Sequence, residues 1–471
     1  MKKIGLFFLM AWIVLVCNAQ IKPDILLATE IQTQLTAVPT PATLNFPKAT
    51  TRFYRESGYT PAWLSDKYNP NAKWQAMLLI DCVLQYGLSP ADYHPKELLY
   101  DKLNAITETP DKVDERQKAR FDIMLTDAMI TLINYMHYGK LNPNYGQTVM
   151  DNNLGLPFNS EKELKEILTR SDFTAGLLAV QPKSKIYTDL QYKMQQLKGL
   201  YDGDCYNVPE ETIRRIAINM ERLRWAEIDD SVAYVQVNIP SFKLLYHLPA
   251  TDKVFKVIVG SPSTPTPVLQ SNVTYFTTAP EWKVPQSIFS KELLPKAINN
   301  PAYLAQNNLT IYNKIGPVED PDREALLQIQ KTPKDYYAKQ AAGCDNALGL
   351  LVFRFQNIYN VYLHDTPDKA LFNRERRDLS HGCIRVENAA ELAALLLKND
   401  GQEQQVGPMK KNIAKEKRRN FVLTKPVPVK VTYLTCQIIN GELINYNDIY
   451  ALDKGLEMAL YNVNNIRTIE K

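Results

Sequence analysis

His381, Cys383 and Arg385 alternate in Ser380-His381-Gly382-Cys383-Ile384-Arg385-Val386, and a second histidine, His364, precedes them in Val361-Tyr362-Leu363-His364-Asp365. The chain has five histidines, and two of them accompany this one thiol. A thiol becomes a strong nucleophile on losing its proton, and imidazole titrates close enough to neutrality to take it. The chemistry expected is acyl transfer through a thioester on Cys383. If 381–385 runs extended, His381, Cys383 and Arg385 share one face. Gly382 lets a substrate come close to the backbone, and its amide and that of Cys383 are candidate oxyanion donors. Arg385 is expected to lower the thiol pKa or to hold a substrate carboxylate. His364 is the candidate base, provided its strand lies beside the cysteine segment, with a backbone carbonyl rather than Asp365 orienting the ring. His381 ranks second for that role.

Three other readings compete. A zinc site of His364, His381 and Cys383 has enough ligands, but Arg385 repels a cation and no second Cys/His cluster exists. Cys383 as a buried structural residue with satisfied core histidines is the commoner fate of a single Cys or His, and the density of reactive types here weighs against it. A degenerate binding domain would have lost Cys383 or His364, and both are present. No P-loop or Gly-rich dinucleotide fingerprint occurs, so neither a cofactor nor a metal is expected.

The elements that must position these residues fall into two kinds. Helices are expected over 73–86, 121–136, 160–169 and 185–199, and from Pro209 with the apolar stripe Ile213, Ile216, Met220 and Leu223. From about 230 the period changes to two. Val235, Val237 and Ile239 alternate with Tyr234, Gln236 and Asn238, the pattern of a half-buried strand. Strands follow at 242–247, 254–259, 273–279, 351–356 and 359–364, with helices at 287–298 and 387–398. The fold class expected is α+β and multidomain. Residues 20–50 read as a loose lead-in, 51–228 as a helical scaffold, and 229–425 as a β-rich catalytic domain. Polar residues 299–350 read as an insertion capping the site. Residues 426–471 read as a strand pair turning at Asn440-Gly441, then a helix, packed on the scaffold.

Length and composition agree with this. The 471 residues exceed what one core holds, and 45% hydrophobic with 23% charged residues is ordinary for a folded chain. A net charge of +4 gives no reason to expect nucleic acid. Residues 1–19 resemble a secretory signal: Lys2 and Lys3, an apolar run from Ile4 to Val16, then Cys17-Asn18-Ala19 before Gln20. The segment is either cleaved or kept as a membrane tether, so the periplasm is the expected compartment. Five cysteines then remain, an odd number that leaves at least one free thiol.

The two histidine segments together are similar to the signature of the L,D-transpeptidases, whose catalytic domain is of the YkuD type. Further matches point to the large Gram-negative branch: Asn219-Met220-Glu221-Arg222-Leu223-Arg224-Trp225, Trp282-Lys283-Val284-Pro285, Asn346-Ala347-Leu348-Gly349 and Asn360-Val361-Tyr362-Leu363-His364. Leu125-Thr126-Asp127-Ala128 and Gly139-Lys140-Leu141-Asn142-Pro143 resemble its scaffold. The resemblance implies that Cys383 is the nucleophile, His364 the base, and His381, Gly382 and Arg385 the remaining catalytic positions. It implies that Tyr362, Trp282, Ser380 and Asn346 bind substrate and that 299–350 forms a cap. The implied substrate is a peptidoglycan tetrapeptide stem, cleaved between diaminopimelate and D-Ala and joined to an amine in a 3–3 cross-link. An L,D-carboxypeptidase and a non-catalytic wall-binding protein are the alternatives. One departure stands out. Many relatives carry a peptidoglycan-binding module before the Asn-Met-Glu-Arg helix, and the segment Leu197 to Pro209 leaves no room for one.

Overall fold

The computed structural model describes residues 23–37, 44–65, 67–153, 155–198 and 210–462. The signal-like segment and Cys205 lie outside them. Among the described residues no helix is long and apolar enough to cross a membrane. The chain divides into two compact units. The first holds the described residues up to 82, 90–135 and 147–180. The second holds 83–89, 136–146 and the described residues from Gln181 onward.

The first unit is helical. Its centre is the long helix Glu115–His137, whose buried Asp122 and Asp127 organise the neighbouring chain. Asp122 accepts from the amides of Ala62, Trp63 and Leu64 and from the Tyr54 hydroxyl. Asp127 accepts from the amides of Asn45 and Phe46 and is paired with His94. The Leu-Thr-Asp-Ala segment therefore serves the scaffold. The lead-in expected over 20–50 is replaced by two helices, Pro23–Thr36 and the start of Pro47–Glu56. Leu27, Ile31 and Leu35 are buried at steps of four, and Thr29, Thr33 and Thr36 each bond the carbonyl four residues back. Threonine-rich composition suggested weak structure, but one apolar stripe was enough to bury.

The second unit is built on a nine-stranded sheet. In chain order its strands are β1 (Tyr234–Asn238), β2 (Lys243–Leu248), β3 (Thr251–Gly260) and β4 (Leu269–Thr278). Four cap strands intervene: β5 (Trp282–Lys283), β6 (Leu309–Tyr312), β7 (Pro317–Val318) and β8 (Tyr337–Gln340). The large sheet resumes with β9 (Leu351–Phe355), β10 (Leu363–His364), β11 (Asp378–Ser380), β12 (Ile384–Val386) and β13 (Arg419–Thr432). Its order is β11-β3-β12-β10-β9-β4-β13-β1-β2, and β2 also pairs with β3, so the ladder closes on itself. Closure of the ring from β3 to β2 removes most of the edge a flat sheet would leave, and the three-residue β11 lies outside it. The helix Ala389–Asn399 packs Leu392, Ala393 and Leu396 onto the same core.

Several boundaries differ from expectation. β1 is buried along its whole length. Val235 and Val237 enter the sheet core, Tyr234 packs with the helix Glu211–Ala226, and Asn238 bonds Leu434 through both amide atoms. The cap begins at Trp282, not 299, because Leu294, Ala297 and Ile298 of the preceding helical turn form one core with Ile311, Leu326 and Ala338. The stretch 426–445 is not one strand pair. Its first part is the end of β13, which pairs with β4 and, in parallel, with β1. The hairpin is β14 (Cys436–Ile439) with β15 (Glu442–Asn445), joined by Asn440 (φ 53°) and Gly441 (φ 83°). Of the residues expected in the scaffold, 181–198 and 210–228 fall in the second unit.

That last assignment explains the Asn-Met-Glu-Arg-Leu-Arg-Trp helix. Glu221 and Arg224 form a fully buried pair at 3.1 Å. Glu221 also accepts from the Leu141 amide, and Arg224 donates to the carbonyl of Tyr86. At Gly139 (φ 90°) a Cβ would lie 2.6 Å from Trp225 Nε1 and 2.7 Å from Glu221 Oε1, so only glycine fits. Asn219 bonds the amide of Thr435. These residues tie segments far apart in the chain together.

Candidate active site

The Cys383 segment is a tight turn between β11 and β12. Ser380 Oγ donates to the Cys383 carbonyl at 2.5 Å and accepts from the Gly382 amide at 3.2 Å. The 260–266 loop buttresses it from outside. Ser261 N and Thr264 Oγ1 both donate to the Ser380 carbonyl, and Thr266 Oγ1 donates to the Gly382 carbonyl at 2.8 Å. Thr266 Oγ1 accepts in turn from the Gly260 amide at 2.8 Å. Gly382 has φ 107°, and a Cβ there would approach nothing closer than 3.7 Å. Glycine is needed for the backbone conformation, not for space. The segment is therefore bent rather than extended, and the expected one-face alignment of His381 with Cys383 is lost. His381 turns to the cap, where its Nε2 meets Glu292 Oε1 at 2.6 Å.

β10 runs parallel to β12, with Leu363 opposite Ile384 and His364 opposite Arg385. The Ile384 amide donates to the Tyr362 carbonyl, which locks this register. His364 thus lies on the strand next to the cysteine segment. It is 5% exposed, and its Nδ1 faces the Asp365 carbonyl at 2.5 Å, with the Leu348 carbonyl also within hydrogen-bonding reach. The Asp365 carboxylate faces away, accepting from the Leu350 amide at 3.0 Å and pairing with Lys369. Cys383 Sγ sits 3.9 Å from the Asn360 carbonyl and takes hydrogen bonds from the amide and hydroxyl of Tyr362. The Tyr362 hydroxyl accepts from Trp282 of the cap. Its ring meets His364 edge-on at 5.7 Å and lies 5.3 Å from the Arg354 guanidinium. Beside it opens a cavity of about 390 Å³ whose walls include Tyr275, Arg354, Asn360 and Tyr362.

Two family matches accompany this geometry. Residues 48–194 match a scaffold domain, and 232–416 match the L,D-transpeptidase catalytic domain of the YkuD type. Residues 232–416 are a YkuD-family L,D-transpeptidase catalytic domain. A protein of Haemophilus influenzae named "Putative L,D-transpeptidase" is 38% identical over 256 residues, 53% of this chain and 50% of that relative. The chain spans about half the length of the curated relative it matches.

Within the YkuD domain, burial sets the protonation states. Desolvation, with Arg385 adding like-charge repulsion, holds the His364 pKa down at about 4, so the ring is neutral at pH 7. Desolvation also pushes the Cys383 thiol up, against the Tyr362 hydrogen bonds and the positive charges of Arg354 and Arg385. Arg385 lowers it as expected, but not below its free value: the sulfur's own burial outweighs a guanidinium that is itself shared with Asp368 at 3.6 Å. The resting pair is a neutral thiol and a neutral imidazole, not an ion pair.

The structure brings together Cys383, His364, Tyr362, Arg385 and Trp282. It sets Ser380 and Asn346 in supporting positions. Ser380 braces the turn, and the Asn346 amide bonds the Gln340 and Ala341 carbonyls where the chain leaves the cap. Sequence reasoning missed Arg354, Thr266 and Glu292. Arg354 carried a usable signal, a lone charge inside the apolar strand Leu351-Val352-Phe353-Arg354-Phe355. Thr266 carried none, since its run reads as an ordinary Pro/Ser/Thr turn.

Proposed function

We propose that this protein is an exported peptidoglycan L,D-transpeptidase acting in the periplasm. Cys383 Sγ attacks the carbonyl joining diaminopimelate to terminal D-Ala in a tetrapeptide stem, and His364 takes the thiol proton. The tetrahedral oxyanion collapses, the C–N bond breaks, and the amine of D-Ala leaves with the proton held by His364. A thioester remains on Cys383. An amine of a second stem then attacks it, the sulfur regains its proton, and a 3–3 cross-link results.

The observation that carries this reading is the parallel pairing of Leu363-His364 with Ile384-Arg385, which seats a neutral buried imidazole next to the thiol segment. A neutral base fits a thiol whose pKa is raised, because deprotonation must then accompany attack. Tyr362 and Trp282 suit a role as the wall that shapes the stem, and Arg354 and Arg385 suit stem carboxylates. Incubation with a disaccharide-tetrapeptide and mass analysis of the products tests the proposal. Loss of D-Ala with a cross-linked dimer is expected, and Cys383→Ala abolishes both. Free tripeptide alone assigns a hydrolase instead. Continued D-Ala release by Cys383→Ala refutes the nucleophile.

A further inference from the structure

Arg354 is a charge set inside an otherwise apolar strand. Leu351, Phe353 and Phe355 of β9 enter the sheet core, so Val352 and Arg354 lie on the opposite face. β10 follows the same rule. Leu363 is in the core, which sends Tyr362 and His364 to the face that carries Arg354. The sheet order β12-β10-β9-β4 then fixes a row across this face. It runs from the Cys383 turn before β12, through Tyr362 at the start of β10, to Arg354 on β9 and Tyr275 opposite it on β4. Neighbouring strands lie about 4.8 Å apart, so a single tyrosine ring separates the thiol from the guanidinium.

This charge has no counterion. Among the described residues no carboxylate pairs with Arg354, whose guanidinium lies over the Tyr362 ring at 5.3 Å. Arg385, the other guanidinium beside the thiol, is shared with Asp368 at 3.6 Å. Arg354 is also the only charged residue lining the cavity of about 390 Å³, where the rings of Tyr275 and Tyr362 and the side chains of Thr274 and Gln356 adjoin it. A half-buried guanidinium facing a cavity without a competing acid is suited to an anion from outside. Its planar fork matches the two oxygens of a carboxylate. One guanidinium balances one negative charge, which favours a carboxylate over a phosphate dianion.

We propose that Arg354 makes this cavity a carboxylate subsite, whose occupant lies across the Tyr362 ring from Cys383 and whose occupancy governs the reactivity of the thiol. The Tyr362 hydroxyl bonds the sulfur, and Arg354 is one of the two positive charges that favour its thiolate. A carboxylate on Arg354 cancels that charge, so filling the subsite slows attack by the sulfur on a small neutral alkylating agent. In turnover the subsite selects substrates that carry a free carboxylate, a role that rests on the transpeptidase reading.

The test is the rate of Cys383 alkylation by iodoacetamide at pH 9, followed by peptide mapping of the full chain at matched ionic strength. Exposed Cys344 serves as the internal control. N-acetylglycine should protect Cys383 and leave Cys344 unchanged, while the neutral N-acetylglycinamide protects neither. Arg354→Gln should need about tenfold more N-acetylglycine for half-protection, the scale of one charge-assisted pair. Arg354→Lys, which keeps the charge and loses the fork, should fall between them and reports on the site if Arg354→Gln does not fold. With a stem substrate, Arg354→Gln should raise KM more than it lowers kcat, and change little once the carboxylates of the stem are amidated. No protection of the wild type, equal protection by the neutral amide, or undiminished protection of Arg354→Gln each overturns the proposal. Protection as expected, with no D-Ala released from stems, leaves the subsite standing and removes the transpeptidase reading.

Discussion

Acidification from pH 6.5 to 4 should destabilise this protein through His364. The ring is buried and its pKa lies at about 4, against 6.5 for the exposed residue. The unfolded chain therefore binds a proton in this window that the folded chain refuses, and stability falls as pH drops. The full shift corresponds to about 3 kcal/mol, and at pH 5 about 2 kcal/mol of it is already lost. His364→Gln keeps a polar side chain of similar size and removes the titration. Urea unfolding of wild type and variant at pH 7 and pH 5 gives the difference of differences, in which other groups cancel. His247 is one such group: its pKa is raised by its contacts with Asp230 and Asp252, so its contribution has the opposite sign. Wild type should lose about 2 kcal/mol more than the variant on going to pH 5. Activity should follow, with the acid limb of kcat/KM near pH 4 rather than 6.5. Parallel pH dependence in the two proteins would falsify the buried, neutral imidazole and with it the general-base role.

Alkylation of Cys383 by iodoacetamide should be slow at pH 7 and accelerate above pH 9, because burial raises the thiol; peptide mapping separates it from exposed Cys344, and rapid alkylation at pH 6 would show a resting thiolate instead. Thr266→Val leaves the Gly382 carbonyl and Gly260 amide without their shared partner. It should cost about 1–3 kcal/mol and lower kcat more than it raises KM, with Thr266→Ser restoring both. Glu221→Ala strands the buried Arg224 guanidinium and should cost about 3–5 kcal/mol in urea unfolding, without shifting the pH profile of any residual activity.

Local chemistry made part of this protein legible from its residues. The period-two run at 235–239 announced β1, and the stripe Ile213, Ile216, Met220, Leu223 announced its neighbouring helix, since both periods follow from backbone geometry. The Ser-His-Gly-Cys-Ile-Arg segment with His364 located the reactive centre, because few residue types can be nucleophile and base. Where side chains act at a distance, sequence was mute. β13 reads as one arm of a hairpin until its pairing with β1 and β4 places it inside the sheet. Whether Arg385 or burial governs the Cys383 thiol depended on how deep the sulfur lies, a property of the closed ladder and the cap. The bend at Gly382 and the turn of His381 toward Glu292 are likewise outcomes of packing. Periodicity and residue type are encoded one position at a time. Desolvation and long-range hydrogen bonding arise only when segments far apart in the chain enclose the same few ångströms of space.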